Sequence, residues 1–179
     1  MLPQTLSNGI CSLTSGHDRY ALSAFIKLSE TGEIIECNLT ESIISTTIRG
    51  VYSELNDIIE NDSDSDFYGK YIKLLPDTLN LVLELYTILE RNSKLRGMVE
   101  LDTVESKIII NEDKNVTDIV KRERGFTERV IEQFMLCANE AVANWLHWQS
   151  IPCLYRVHEE PSPDKLHALS LFAKNLGLD

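Results

Sequence analysis

A run from Arg122 to His147 places Phe126, Val130, Phe134, Cys137, Ala141 and Trp145 at intervals of three and four residues. That spacing puts them on one side of an α-helix of about seven turns. A helix with so wide an apolar stripe is stable in water only when the stripe is covered. The rest of the chain must supply the cover. This requirement constrains the fold more than any other feature, and it makes this helix the predicted centre of the molecule.

The remaining elements follow from shorter patterns. Residues 1–19 are predicted to be irregular, because Pro3, Asn8-Gly9 and Ser15-Gly16 interrupt any period. Tyr20 to Glu30 and Glu33 to Leu39 are predicted strands joined by a turn at Thr31-Gly32, with a third strand over Glu41 to Thr47. Val51, Leu55, Ile58 and Ile59 recur at helical spacing between Arg49 and Glu60. The run Asn61 to Asp66 has no apolar side chain and is predicted to be a solvated loop. A second long helix is predicted from Pro76 to Arg96, buried through Leu79, Val82, Leu83, Tyr86 and Leu89 and stopped by Gly97. Val104 to Ile110 and Val116 to Val120 read as a hairpin around Asn111–Asn115, and Cys153 to Val157 as a short strand. Ser162-Pro163 opens a last helix running to Asn175, before Gly177. Without an internal repeat or linker, residues 1–179 form a single α+β unit of antiparallel strands with long amphipathic helices packed on them.

Composition excludes several classes. No apolar run approaches the length of a membrane span, so no membrane partner is expected. Cys11, Cys37, Cys137 and Cys153 are scattered and contain no CxxC pair, which suits reduced cysteines in the cytoplasm and not a disulfide framework or zinc site. There is no GxSxG elbow, no phosphate-binding P-loop and no dinucleotide fingerprint. The Asp62/Asp64/Asp66 alternation lacks the following Gly and distant Glu of a calcium loop. His158 and Glu159 lack ligand spacing to other histidines, so a structural role is preferred there. Net charge is −11, which by itself argues against binding led by phosphate neutralisation.

Five stretches carry information that periodicity does not: Met1 to Leu13, Val51 to Glu60, Lys94 to Asp102, Arg129 to Ala143 and Tyr155 to Leu166. In that order, over nearly the whole chain, they resemble the catalytic domain of the ribonuclease II / ribonuclease R (RNB) family of exoribonucleases, and the ribonuclease R branch more than the ribonuclease II branch. The family's metal-binding aspartates lie upstream of the matching region and an arginine motif lies downstream. The resemblance therefore implies an internal fragment of the domain. It implies 3′→5′ hydrolysis of single-stranded or structured RNA, processively, to nucleoside monophosphates. Mg²⁺ serves the intact family enzyme, and its ligands have no counterpart in this chain, so the isolated fragment is expected to be inactive and to supply part of the RNA channel.

Three residues are carried over on this resemblance. Glu132 aligns with a family glutamate at the ribose near the scissile end, where a carboxylate can accept a hydrogen bond from a 2′-OH that DNA lacks. Tyr52 aligns with the tyrosine that works with that glutamate in sugar discrimination. Leu101 stands where family members carry Phe or a similar apolar residue against a base, and Leu in place of Phe weakens stacking. From the residues alone, blander roles compete. Arg129, Glu132, Leu136 and Asn139 share one helix face, and a solvated face with an Arg–Glu pair suffices to explain them. Tyr52 most simply packs its ring and leaves its hydroxyl at the surface. A non-enzymatic protein-interaction module with an acidic surface and a truncated RNB paralogue remain as alternatives. An apolar face left uncovered makes a homodimer an expected partner.

Overall fold

In the computed structural model, residues 2–72, 77–99, 105–122 and 124–177 are described. Among the described residues, two antiparallel hairpins and five α-helices follow one another, the α+β arrangement expected from the sequence. The first hairpin pairs β1 (Asp18–Leu28) with β2 (Ile34–Ser45), and the second pairs β3 (Glu105–Ile110) with β4 (Val116–Arg122). The helices are α1 (Tyr52–Asn61), α2 (Tyr68–Tyr71), α3 (Asp77–Leu95), α4 (Phe126–Trp148) and α5 (Pro163–Asn175).

Helix α4 is the hub, packing against α3, α1 and both strands of the first hairpin. Its predicted stripe faces inward, with Val130 and Ala141 buried and Phe126, Phe134, Cys137 and Trp145 half-buried. Tyr86 and Leu89 of α3 are buried against it, and the Tyr86 ring meets Phe126 edge-on at 5.1 Å. Full burial of an aliphatic or aromatic side chain of this size stabilises by about 1.5–3 kcal/mol, so these few contacts outweigh the surface ion pairs. A buried polar contact crosses the same interface: the Ser93 hydroxyl donates to Gln133 Oε1 at 2.9 Å, with both residues buried.

The β1–β2 hairpin docks by its turn. Gly32 has φ +83°, in the left-handed region, and approaches α3 so closely that an added Cβ would lie 3.1 Å from Ile88 Cγ2. Asn92 of α3 donates to the Gly32 carbonyl at 2.7 Å, and Arg91 donates to the Glu30 carbonyl at 3.0 Å. At the other end of the hairpin, Tyr20, Leu22 and Ile43 stand on one exposed face. Helix α3 stops as predicted at Gly97, φ +85°, where Met98 N–H donates to the Ser93 carbonyl in a Schellman closure.

Several expectations are corrected. Ile34–Ser45 is one continuous strand, not a strand over 33–39 followed by a separate third strand over 41–47; its partner β1 is long enough to pair Thr40 with Ser23 and continue to Ser45. Residues 153–157 are not a strand, since no neighbouring strand offers a ladder and Leu154 is fully exposed. The amino-terminal residues are less irregular than predicted, containing a π-helical turn over Leu6–Ile10 that breaks at Gly9. The acidic run after α1 holds its aspartates in solvent but not Ser65, which is buried with its hydroxyl 2.5 Å from Asp57 Oδ2. Pro76 and Val104, named above as element ends, lie outside the described residues.

Candidate functional site

Helix α1 begins at Tyr52, with Val51 as its extended N-cap. The Tyr52 side chain is exposed. The first turn is held from below by α2. Tyr71, 1 % exposed, accepts the Val51 N–H at 3.2 Å and donates its hydroxyl to the Glu54 carboxylate. Lys70 reaches the same carboxylate at 2.5 Å. The hydrogen bonds from Lys70 and Tyr71 hold Glu54 below the usual carboxylate value and raise Lys70 above its own.

Helix α4 begins at Gly125, whose glycine has no side chain to cap the first turn. Its N–H donors find a partner on α1 instead. Asn56 Oδ1 accepts the Thr127 N–H at 2.9 Å, its Nδ2 donates to Glu128 Oε2 at 3.3 Å, and the Thr127 hydroxyl lies 2.9 Å from Asn56 Oδ1 and 3.3 Å from the Tyr52 carbonyl oxygen. The two helix beginnings are therefore joined at Thr127, next to Tyr52.

Glu132 lies one turn beyond Glu128 on the same face of α4. Its side chain is half-exposed, 3.6 Å from the Arg124 guanidinium, which also pairs with Glu105 of β3 at 3.2 Å. Arg129, Glu132, Leu136 and Asn139 share an exposed face as predicted, but Arg129 sits 5.7 Å from the Phe126 ring and the pair to Glu132 comes from Arg124. Tyr52 and Glu132 are thus both solvent-accessible, on helices in direct contact. Helix α1 packs on α4. Leu101 lies outside the described residues. A crevice of about 10 Å³ between the Gly32 turn and Gln133 includes neither Tyr52 nor Glu132.

Sequence reasoning missed Asn56, Thr127 and the Tyr71–Glu54–Lys70 cluster. The available signal was Gly125 itself: a long helix opening without Ser, Thr, Asp or Asn at its cap needs an acceptor from elsewhere. Among the described residues, no group of three or more His, Cys, Asp or Glu is placed to hold a metal ion. No helix among them is long and apolar enough to cross a membrane. All four cysteines are free.

The sequence profile of the RNB domain matches residues 1–178. The chain belongs to the RNB domain family. Curated relatives of this RNB chain include ribonuclease R 1 of Lactococcus lactis, 41 % identical over 99 % of the chain and 21 % of the relative. Ribonuclease R of Thermotoga maritima is 35 % identical over 99 % of the chain and 25 % of the relative. The chain thus spans about a fifth to a quarter of the length of these relatives. Among solved structures, the apo form of Mycoplasma genitalium RNase R superimposes with a TM-score of 0.88 at 29 % identity, over 99 % of this chain and 27 % of that one. The same RNase R has been solved in complex with ribose-methylated single-stranded RNA, with a TM-score of 0.88, and with double-stranded RNA, with a TM-score of 0.86.

Proposed function

We propose that this RNB chain is part of a 3′→5′ exoribonuclease of the cytoplasm, that it forms part of the wall of the RNA channel, and that Tyr52 and Glu132 meet the sugar of the bound strand. The observation that carries this reading is the union of α1 and α4 at Thr127, which keeps two exposed polar side chains from distant parts of the sequence on neighbouring helices. The Glu132 carboxylate accepts from a 2′-OH, and its loose pairing with Arg124 yields to that donor. Tyr52 presents its ring and hydroxyl beside it. Leu101 packs against a base further along. In the whole protein, Mg²⁺ held elsewhere would supply the hydrolytic chemistry; among the described residues of this chain, no group of His, Cys, Asp or Glu fits such a site.

The test compares binding of a labelled single-stranded RNA and the DNA of the same sequence. The Tyr52→Phe and Glu132→Ala variants are expected to lose about 1–3 kcal/mol of the RNA preference each, the cost of an unmade hydrogen bond at a buried contact. Unchanged preference in both would remove the pair from the sugar site. With Mg²⁺ added, the isolated chain is expected to release no mononucleotides; release that depends on Glu132 would place the chemistry within this chain. We further propose that Tyr20, Leu22 and Ile43 are covered in the isolated chain by a second copy; sedimentation showing a monomer at every concentration would refute this.

A further inference from the structure

Helix α4 opens at Gly125, and nothing on α4 caps it. The acceptor that a Ser or Asn at position 125 would normally provide to the second helical N–H comes from Asn56, across the interface with α1. The space confirms that the arrangement is built around this contact. A Cβ on Gly125 would fall 2.0 Å from Asn56 Nδ2, 2.9 Å from Asn56 Cγ and 2.4 Å from the Glu128 Oε2 that this amide holds, so a self-capping side chain conflicts with Asn56 and its partner as they stand. Gly125 has φ −73° and ψ 171°, a backbone any residue adopts, so its glycine is required by the presence of Asn56 and not by conformation. The same amide donates to Glu128 one residue further on, and Thr127 lies within hydrogen-bond reach of the Tyr52 carbonyl.

We infer that Asn56 is a positioning residue: by capping α4 in trans it fixes the start of α1, and with it Tyr52, relative to the turn of α4 that carries Glu132. The inference rests on the proposed sugar-reading role of Tyr52 and Glu132. A local cap would stabilise α4 equally well but would leave only the Thr127 hydroxyl, 3.3 Å from the Tyr52 carbonyl oxygen, to hold the two helix starts in register. The chain instead joins stability and register in one amide.

The decisive comparison is Asn56→Ala against Asn56→Ala/Gly125→Ser. Removing Asn56 leaves the Glu128 carboxylate, 2.4 Å from that Cβ position, as the remaining obstacle. Freed from the Asn56 amide, this end of a flexible side chain turns aside, and the serine then caps α4 locally without the Asn56 tie to α1. In Asn56→Ala, amide exchange at Thr127 is expected to rise about tenfold, the loss of one cap. In the double variant that protection should return. The RNA-over-DNA binding ratio should fall about fivefold in Asn56→Ala, as for one lost sugar contact, and stay low in the double variant. Amides 52–56 of α1 should likewise remain faster-exchanging than in the wild type. Recovery of the RNA preference together with the Thr127 protection would overturn the inference and leave Asn56 as a helix cap only. So would an RNA preference that Asn56→Ala does not change. Tyr52→Phe and Glu132→Ala, run alongside, separate the two levels. If they too leave the preference unchanged, or the wild-type chain shows none, the sugar-reading role fails; if they reduce it while the double variant recovers, only the role of Asn56 fails.

Discussion

Gly32→Ala isolates what holds the first hairpin onto the helices. At φ +83° an alanine is in the left-handed region, which costs about 1–2 kcal/mol. Stiffening the unfolded chain returns about 0.4–1 kcal/mol of that. The new Cβ also meets Ile88 Cγ2 at 3.1 Å and both Asn92 Cβ and the Ile88 carbonyl at 3.2 Å, and two of these three atoms belong to the body of α3 and do not swing aside. Relief requires the turn to lift, which stretches the Asn92 bond to the Gly32 carbonyl. Overpacking of this kind costs about 1–3 kcal/mol, and the low end applies to a contact a few tenths of an ångström too tight. The net expectation is a loss of about 2 kcal/mol. Gly97 is the control, because its φ of +85° carries the same backbone strain while nothing lies within 4 Å of its Cβ position. Gly97→Ala should therefore cost about 1 kcal/mol less than Gly32→Ala, the difference being the crowding alone. Urea denaturation followed by circular dichroism measures both, with the midpoint shifting and the slope unchanged. Equal midpoints for the two variants would refute the claim that the turn is seated against α3.

Ser93→Ala leaves Gln133 Oε1 buried without its donor and should cost about 1–3 kcal/mol in the same urea assay, whereas Ser93→Ala/Gln133→Met, which removes both partners, should recover most of it. A double variant weaker than the single would show that the pair is not the reason Gln133 is tolerated in the interface. Glu54 is held below its ordinary value of 4.5 by hydrogen bonds from Lys70 and Tyr71, so its stabilising effect is fully present above that pH and is lost as the pH falls through the depressed value. The stability gap between the wild type and Glu54→Gln, followed by urea midpoints, should thus be widest at neutral pH and close on acidification below about 4.5; a gap that does not change with pH would break the assignment.

The long helices and both hairpins were legible because each writes its own period into the residues. Val130, Phe134 and Ala141 announce the buried side of α4 wherever its partners lie, and Gly97 announces a stop whatever follows it. What could not be read is what depends on a partner through space. The continuation of β2 past Thr40 is decided by the length of β1, and residues 153–157 have strand composition but no ladder to join. Gln133 and Thr127 are polar by identity and buried by position, because Ser93 and Asn56 await them on other helices. Tyr52 and Glu132 entered through family resemblance, and no periodicity singles them out from other exposed polar positions.

If the chain meets RNA as proposed, its charge bears on how. With 28 acidic against 17 basic residues, it lacks the surplus of cations from which phosphate-led binding is made. Several of the cations it has are already engaged: Lys70 with Glu54, Lys94 with Glu90, Arg96 with Glu140, and Arg122 and Arg124 with Glu105. Spending them on phosphates would strand their carboxylates beside a polyanion. A surface of this kind discriminates better than it attracts. Hydrogen-bond acceptors such as Glu132 are suited to a neutral 2′-hydroxyl, and their negative charge penalises a phosphate placed in the same position. On the proposed reading, attraction would come from regions such as those that make up the rest of the relatives' length, of which this chain spans about a fifth to a quarter, while α1 and α4 would contribute the choice of sugar. On this division, the rigidity of the α1–α4 junction matters more than its charge, because a hydrogen bond to a hydroxyl is lost with a displacement that a phosphate contact would tolerate.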